Sequence, residues 1–383
     1  MSRLQRVSLP PRFVDWSIFL LLAIELASGL VSLTTGQPGG QVVFVLHSVV
    51  GLALCVLVFE KLRRVRKRVS RPDAWDRATP VSVLLAVVTL GALGSGIAWV
   101  LGGSLALGPW GLLNLHIGLG LLLVLVVVVH LYHRWRPPQR SDFEERRTVL
   151  SYLLLIGVGA LIWRFQTALN DLLNTAGAEH RFTGSREEGT DAGNEFPVTS
   201  WVADDPDPIA IEDWELTVTG EVGRTLLFDY DEIAAEGIGG GEVGDRRNES
   251  EGSSDDGRLR ATLDCTSGWY SVHDWRGVRV GDLLEATGTA ESAQWISFRS
   301  VTGYRWSLPI EEAREALLAT HVGGERLTHG HGFPLRLVAP GRRGFQWVKW
   351  VTEIEVRERK DPGQWLAVFV SGFDGGNRQD SNG

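Results

Sequence analysis

Five stretches of the chain, 14–33, 42–59, 81–101, 112–131 and 149–165, are apolar almost throughout. A helix needs roughly 17–25 such residues to cross the hydrocarbon of a bilayer, so the pattern predicts five membrane-spanning helices. Past residue 196 the pattern changes to short alternating runs. Segments 214–220, 295–301 and 335–339 read as strands. A helix is expected from Pro309, with Glu311, Glu312, Arg314 and Glu315 on its wet face and Gly323-Gly324 stopping it. Residues 167–195 are polar and mixed, a linker, and 373–383 form a tail. Segment 236–257 is aperiodic and rich in Gly, Ser, Asp and Glu, which reads as a disordered surface insertion. The expected organisation is a helical domain over 1–166 and a second domain over 196–372.

Charge divides the chain in the same way. Residues 1–170 hold 17 basic and 8 acidic side chains, net +9; residues 171–383 hold 21 and 38, net −17, giving the overall −8. The acidic half argues against nucleic acid as a partner, because phosphate backbones need a basic face. The positive charges sit on alternate connections: Arg3, Arg6 and Arg12 before the first run, Lys61 to Arg68 after the second, and Arg134, Arg136, Arg140, Arg146 and Arg147 after the fourth. Segments 36–41 and 102–111 carry no charge. By the positive-inside rule the N-terminus is cytoplasmic, and five spans leave the second domain outside the cell membrane.

Only four of the 38 basic residues are lysine: Lys61, Lys67, Lys349 and Lys360. An acidic, Arg-rich, Lys-poor surface resembles that of proteins from halophilic archaea, and a GC-rich genome gives the same bias. Two cysteines, Cys55 in an apolar run and Cys265 in the acidic half, exclude a disulfide framework. The fifth run is entered through Glu145-Arg146-Arg147-Thr148-Val149-Leu150. This resembles a Tat export signal, a route that carries folded proteins, although positive-inside flanking accounts for the same residues.

The second domain carries four motifs in order. They are Leu263-Asp264-Cys265-Thr266-Ser267-Gly268-Trp269-Tyr270 with His273-Asp274-Trp275, then Gly303-Tyr304-Arg305-Trp306-Ser307-Leu308-Pro309, then His329-Gly330-His331-Gly332-Phe333-Pro334-Leu335-Arg336, and Gly344-Phe345-Gln346-Trp347-Val348-Lys349-Trp350. Their order and spacing resemble the molybdopterin-binding domain of the sulfite oxidase family, over about 196–372. The resemblance implies an α+β fold and a molybdenum–molybdopterin cofactor. It makes Cys265 the protein ligand to molybdenum, and thiolate is a soft ligand suited to such a centre. It places His331, Arg336 and Lys349 on the pterin phosphate, where Arg and Lys fit by charge and donor geometry. Arg342 and Arg343 are either phosphate neighbours or solvated, and the solvated reading is favoured. Tyr270, His273 and Tyr304 are candidate pocket residues, the two tyrosines also candidate catalytic groups. One departure bears on substrate: animal and plant sulfite oxidases place arginines shortly after the cysteine, and here Thr266 to Tyr270 carry no charge. A neutral sulfoxide or other small oxo compound is then expected in place of the sulfite dianion.

Three histidines, His47, His116 and His130, lie in or at the edge of apolar runs, where ionisable groups need a reason. His116 and His130 are 14 residues apart, about four helical turns or roughly 21 Å. This is the spacing by which b-type cytochromes stack two haems. Fourteen residues after His47 stands Lys61. His47 and His116 sit at similar depth near the outer face, so one bis-His haem b is expected there, with His47 and His116 on the iron. His130 has no matching ligand, since His133 lies on its own helix. Arg164 could meet a haem propionate or snorkel, and the role of Glu25 is open. The sequence thus predicts a five-span transmembrane bundle joined to an α+β oxidoreductase domain. Electrons would pass between the membrane haem, a quinone or redox protein, and a small-molecule substrate. The competing readings are a sulfite-oxidising dehydrogenase, and a membrane protein whose outer domain has become a non-catalytic binding module.

Overall fold

The computed structural model describes residues 11–107, 110–135, 137, 146–200, 204–235 and 257–371. Arg3, Arg6, Arg136, Arg140, Glu145, the 236–256 part of the insertion and the 373–383 tail lie outside the described residues. The chain divides into two compact units, Met1–Arg186 and Glu187–Gly383.

The first unit is helical: α1 (Pro11–Thr34), α2 (Gln41–Val69), α3 (Thr79–Val100), α4 (Leu112–Arg134) and α5 (Arg146–Leu173). Prolines open α1 and α3, where the missing N–H costs nothing. Arg66, Lys67 and Arg68 close α2, where cations complement the helix dipole. Among the described residues, five helices are long and apolar enough to cross a membrane. α1 packs on α2, α3 on α4 and α2 on α5. Leu21 and Leu22 bury against Val50, Leu54 and Leu57. Gly159 brings α5 close to α2, since a Cβ there would stand 2.4 Å from the Val49 carbonyl oxygen; small residues permit such approaches between apolar helices. Leu125, Val128, Leu153, Leu154 and Leu161 remain exposed on the outside of the helices. One expectation changes: α5 runs on to Leu173, so the first seven residues of the supposed linker are helix. A two-residue hairpin, β1 (Ala106–Leu107) and β2 (Trp110–Gly111), joins α3 to α4.

The second unit is built on two sheets. One has the order β11 (Glu325–Arg326), β10 (Leu317–Val322), β7 (Trp269–Arg279), with β12 (Arg336–Val338) on β10 and β6 (Arg258–Asp264) on β7; β3 (Arg186–Glu187), where the second unit begins, edges β7. The other has the order β5 (Leu226–Asp229), β4 (Glu215–Gly220), β13 (Val351–Arg357), β8 (Trp295–Ser300), β9 (Arg305–Pro309). All its pairs are antiparallel except β4 with β13. Alternate positions supply the core: Leu216 and Val218 point in from β4 while Glu215 points out. Both sheets feed one core, in which Leu263, Trp275 and Leu317 of the first meet Ile296, Phe298 and Ile354 of the second. Short helices α6 (Tyr230–Ala234), α7 (Val280–Thr287), α8 (Ile310–Arg314) and α9 (Gln364–Val370) complete the unit.

The helix expected from Pro309 to Gly323-Gly324 is corrected. Only Ile310–Arg314 is helical, and Leu317–Val322 is the strand β10. Its residues pair with β7 on one side and β12 on the other, and all but His321 are buried. Burial on both faces removes the alternation that marks a strand, so a central strand and a buried helix look alike in sequence. Gly323 and Gly324, at φ +58° and +84°, turn the β10–β11 hairpin.

Candidate active site

Cys265 stands at the tip of the β6–β7 hairpin. Its N–H donates to the Trp269 carbonyl at 2.8 Å, and the Gly268 N–H returns to the Cys265 carbonyl at 3.2 Å. Gly268 adopts φ +104°, which an L-residue seldom reaches, so the glycine makes the reversal possible. The turn lifts the thiol off the end of the sheet, 3.0 Å from the Ser267 Oγ, which is placed to donate to a thiolate. Tyr270 is half-buried and pairs across the strands with Asp264, so the hairpin brings it beside the cysteine.

The loop before Trp347 supports this tip from below. Arg343 donates from Nη1 to Asp264 Oδ1 at 2.8 Å and from Nη2 to the Cys265 carbonyl at 3.1 Å. Both charged side chains are almost fully buried. Gly344 lies against the cysteine backbone, and a Cβ there would come within 3.2 Å of Cys265 Cα. The expectation that Arg342 and Arg343 are simply solvated is therefore corrected: Arg343 is an internal ion-pair partner, and Arg342 pairs with Glu312. Two adjacent arginines after Pro-Gly look alike in sequence, and only the return of the loop under β6 distinguishes them.

Arg336 and Lys349 come together through Gly332. This glycine has φ +106°, and a Cβ on it would fall 3.1 Å from Lys349 Cβ and 3.2 Å from Arg336 Cβ. The Arg336 guanidinium is buried, donates to the His331 carbonyl at 2.9 Å, and lies 5.7 Å and 5.9 Å from the Trp275 and Trp347 rings. Its Nε has no partner among the described residues. Burial lowers its pKa to about 10, with the Cys265 sulfur pulling the other way. Lys349 Nζ donates to Ser200 Oγ at 2.9 Å and the Gly330 carbonyl at 2.7 Å. Its pKa falls to about 7, through desolvation first and then the Arg336 charge. Trp350 beside it holds φ +50°, a strained value for a bulky residue, fixed by full burial and by its indole N–H on the His329 carbonyl. Two converging cations, one of them buried without a carboxylate, are costly unless an anion joins them. A phosphate group fits this cradle.

The other predicted residues fall into place differently. His331 is buried with both ring nitrogens in use: Nε2 donates to the Phe196 carbonyl at 3.0 Å, and Nδ1 accepts from Thr328 Oγ1 at 2.8 Å. Burial lowers its pKa to about 4, with Arg336 adding to the effect. It therefore holds a neutral ring against Phe196, at 3.8 Å between centroids, and carries the Arg336 contact on its backbone. Tyr304 is buried and its hydroxyl donates to the Phe345 carbonyl at 2.5 Å; burial raises its pKa. Its donor is thus committed to the loop under Cys265. His273 is fully buried between Phe196 and Trp275, with neither ring nitrogen hydrogen-bonded to a described residue.

In the helical unit, His47 of α2 and His116 of α4 face each other edge to face, with ring centroids 6.0 Å apart at 85°. Nδ1 of His116 donates to the Ala92 carbonyl at 2.8 Å. Nδ1 of His47 lies 3.2 Å from Glu25 Oε2 and 3.0 Å from Ser28 Oγ. Glu25 thereby gains a partner that the sequence left open. Arg164 is exposed and its guanidinium lies 5.8 Å from the Trp163 ring.

Residues 203–365 match the model of the oxidoreductase molybdopterin-binding domain. The chain is 30% identical over 155 residues to the oxidoreductase YuiH of Bacillus subtilis, covering 69% of that protein and 40% of this one. It is 27% identical over 174 residues to the protein-methionine-sulfoxide reductase catalytic subunit MsrP of Xanthomonas campestris, covering 49% of that subunit and 41% of this chain. It is 31% identical over 123 residues to human mitochondrial sulfite oxidase, covering 23% of that enzyme and 29% of this chain. The chain thus spans about half or less of the last two relatives. With a cysteine raised on a hairpin tip and a buried cationic cradle beside it, the matched segment makes this chain a member of the molybdopterin-binding oxidoreductases of the sulfite oxidase family.

Proposed function

We propose that this chain is a membrane-anchored reductase that removes the oxygen atom of a neutral sulfoxide-type substrate outside the cell membrane, with electrons drawn from the membrane. The observation that carries the cofactor assignment is the buried Arg336 guanidinium beside Cys265, converging with Lys349 and lacking a carboxylate. Cys265 would ligate molybdenum, and Arg336 and Lys349 would hold the pterin phosphate. Bound there, the molybdenum cofactor supplies two-electron oxygen-atom exchange. The protein's part is to hold the sulfur in place through Arg343 and Gly344 and to exclude water from the cationic cradle. The substrate reading rests on charge: the arginine that touches Cys265 is already neutralised by Asp264, and residues 266–270 bring no cation. The unmatched cation beside Cys265, Arg336, is assigned to the pterin phosphate, which leaves no further cation for a sulfite dianion.

His47 and His116 are assigned one haem b. With ring centroids 6.0 Å apart, the two imidazoles would hold the haem iron between them. Each Nδ1 is engaged by a neighbour, an arrangement that orients a ligating imidazole and leaves Nε2 for the metal. The five apolar helices would anchor the enzyme, and the twin arginines at Arg146 and Arg147 would route a loaded domain through Tat export. Metal content and the visible spectrum of the purified full chain test the reading. Molybdenum at one per chain with a low-spin haem spectrum supports it, and a chain without molybdenum overturns it.

A further inference from the structure

We propose that the far end of the helical unit is a quinol-binding site, formed by Asp15 of α1, Lys61 of α2, Ser82 of α3 and His130 of α4. Each of four helices brings one of these side chains to the charged end of the bundle, where Glu60 also pairs with Arg63 and Arg64, and Asp76 with Arg68 and Arg134. Ser82 Oγ donates to the Ala78 carbonyl at 2.9 Å, so its 3.3 Å contact with His130 Nδ1 makes Nδ1 the donor. The His130 Nε2 is left as an acceptor, with no hydrogen bond to a described residue. Lys61 pairs with the Asp15 carboxylate, and both are charged neighbours of His130. Aromatic rings stand at the same end: Trp135 lies 5.6 Å from Trp16 and 6.3 Å from Phe19, both edge to face.

The donor set selects the ligand. Among the described residues no group of three His, Cys, Asp or Glu side chains is placed to hold a metal ion. A second low-spin haem would need a ligand where Lys61 stands, and that ammonium is held by Asp15. A hydroquinone needs an acceptor for a leaving hydroxyl proton, a cation near the second oxygen, flat rings beside it and an apolar surface for its tail. His130 Nε2, the Lys61–Asp15 pair, the Trp16–Trp135 cluster and the exposed apolar helix faces supply these in turn.

The site deepens the proposed function and rests on its reading that electrons come from the membrane. One quinol gives one quinone, two protons and two electrons. The protons pass to His130 and Asp15 and on to water at that end. The electrons leave singly toward the His47–His116 pair, 14 residues away on α2 and α4, or roughly 21 Å along the helix axes. At the other domain one sulfoxide, two protons and two electrons give one sulfide and one water.

The test uses the full chain in lipid nanodiscs and an azido-substituted short-chain quinone as photolabel, with decylubiquinone as competitor. Competable label is expected on peptides containing residues 12–19, 61–64 or 130–135. It should fall at least tenfold in the double variant Lys61→Gln with His130→Asn, and Lys61→Arg should keep it. Decylubiquinol should reduce the wild-type haem at least tenfold faster than that of the double variant, while dithionite reduces both fully, which controls for folding. Label confined to other helices, or equal in wild type and double variant, overturns the site. A wild type without haem overturns the electron route of the proposed function, and the labelling result still decides the quinol site.

Discussion

Arg343 and Asp264 form a buried ion pair, 2.8 Å between Nη1 and Oδ1, directly under the backbone of Cys265. The pair fixes the strand that carries the cysteine to the loop that precedes Lys349. Arg343→Met leaves a buried carboxylate uncompensated, an effect of about 3–5 kcal/mol, whereas removing both charges restores much of it. Urea unfolding of the single variant and of Arg343→Met with Asp264→Leu should show that recovery. If the two changes act independently, the ion pair is not what holds the tip.

Cys265→Ser should abolish sulfoxide reduction while leaving the fold and membrane insertion intact, because the side chain sits on a hairpin tip whose shape is set by Gly268. A turnover assay with circular dichroism checks both halves. Full turnover in this variant would remove the cysteine from the chemistry.

Acid should destabilise the second unit in a defined window. Burial holds the His273 and His331 pKa values at about 4, below their usual 6.5. Stability from the neutral rings is complete above pH 6.5. It is lost as the pH falls toward 4, because the unfolded chain takes up protons that the folded chain refuses. The slope is up to about 1.4 kcal/mol per pH unit for each histidine. Urea midpoints at pH 7.5, 6 and 5 measure it, and His273→Phe should remove about half of the slope. An unchanged slope would mean that His273 takes a proton in place.

Haem content should be one per chain, lost in His47→Ala and in His116→Ala and kept in His130→Ala. A pyridine haemochrome assay on the three variants decides this. Two haems per chain would mean that His130 has a ligand partner after all.

Replacing Arg146 and Arg147 by lysine keeps the charge, so ordinary topology should persist. If the domain leaves folded, the double variant should retain it inside, protected from external protease. An exposed and metal-loaded domain would show another route.

Much of the candidate site was legible in the sequence. Cys265, Arg336 and Lys349 stand in motifs whose spacing is a property of the chain. The glycines that let them converge, Gly268, Gly332 and Gly344, lie in the same motifs. What the motifs did not reveal is which groups are already spent. The hydroxyl of Tyr304 and both ring nitrogens of His331 are committed to carbonyls or hydroxyls at positions 345, 196 and 328, and no local pattern encodes partners that far apart.

The five apolar runs determined that there are helices and in what order, because a helix satisfies its own backbone, but not their ends: α2 continues to Val69 and α5 to Leu173, past their runs. Strands 214–220 and 295–301 were legible because polar and apolar residues alternate along them, and 335–339 because a short, mostly apolar run stands between Pro334 and Pro340. Tertiary structure alone decided β10, whose two buried faces erase the alternation and leave pairing with β7 and β12 as the only arbiter. It also decided that Arg343 turns inward to Asp264 while Arg342 turns to Glu312. Adjacent identical side chains have identical local preferences, so only the surroundings into which the fold carries each one can separate them.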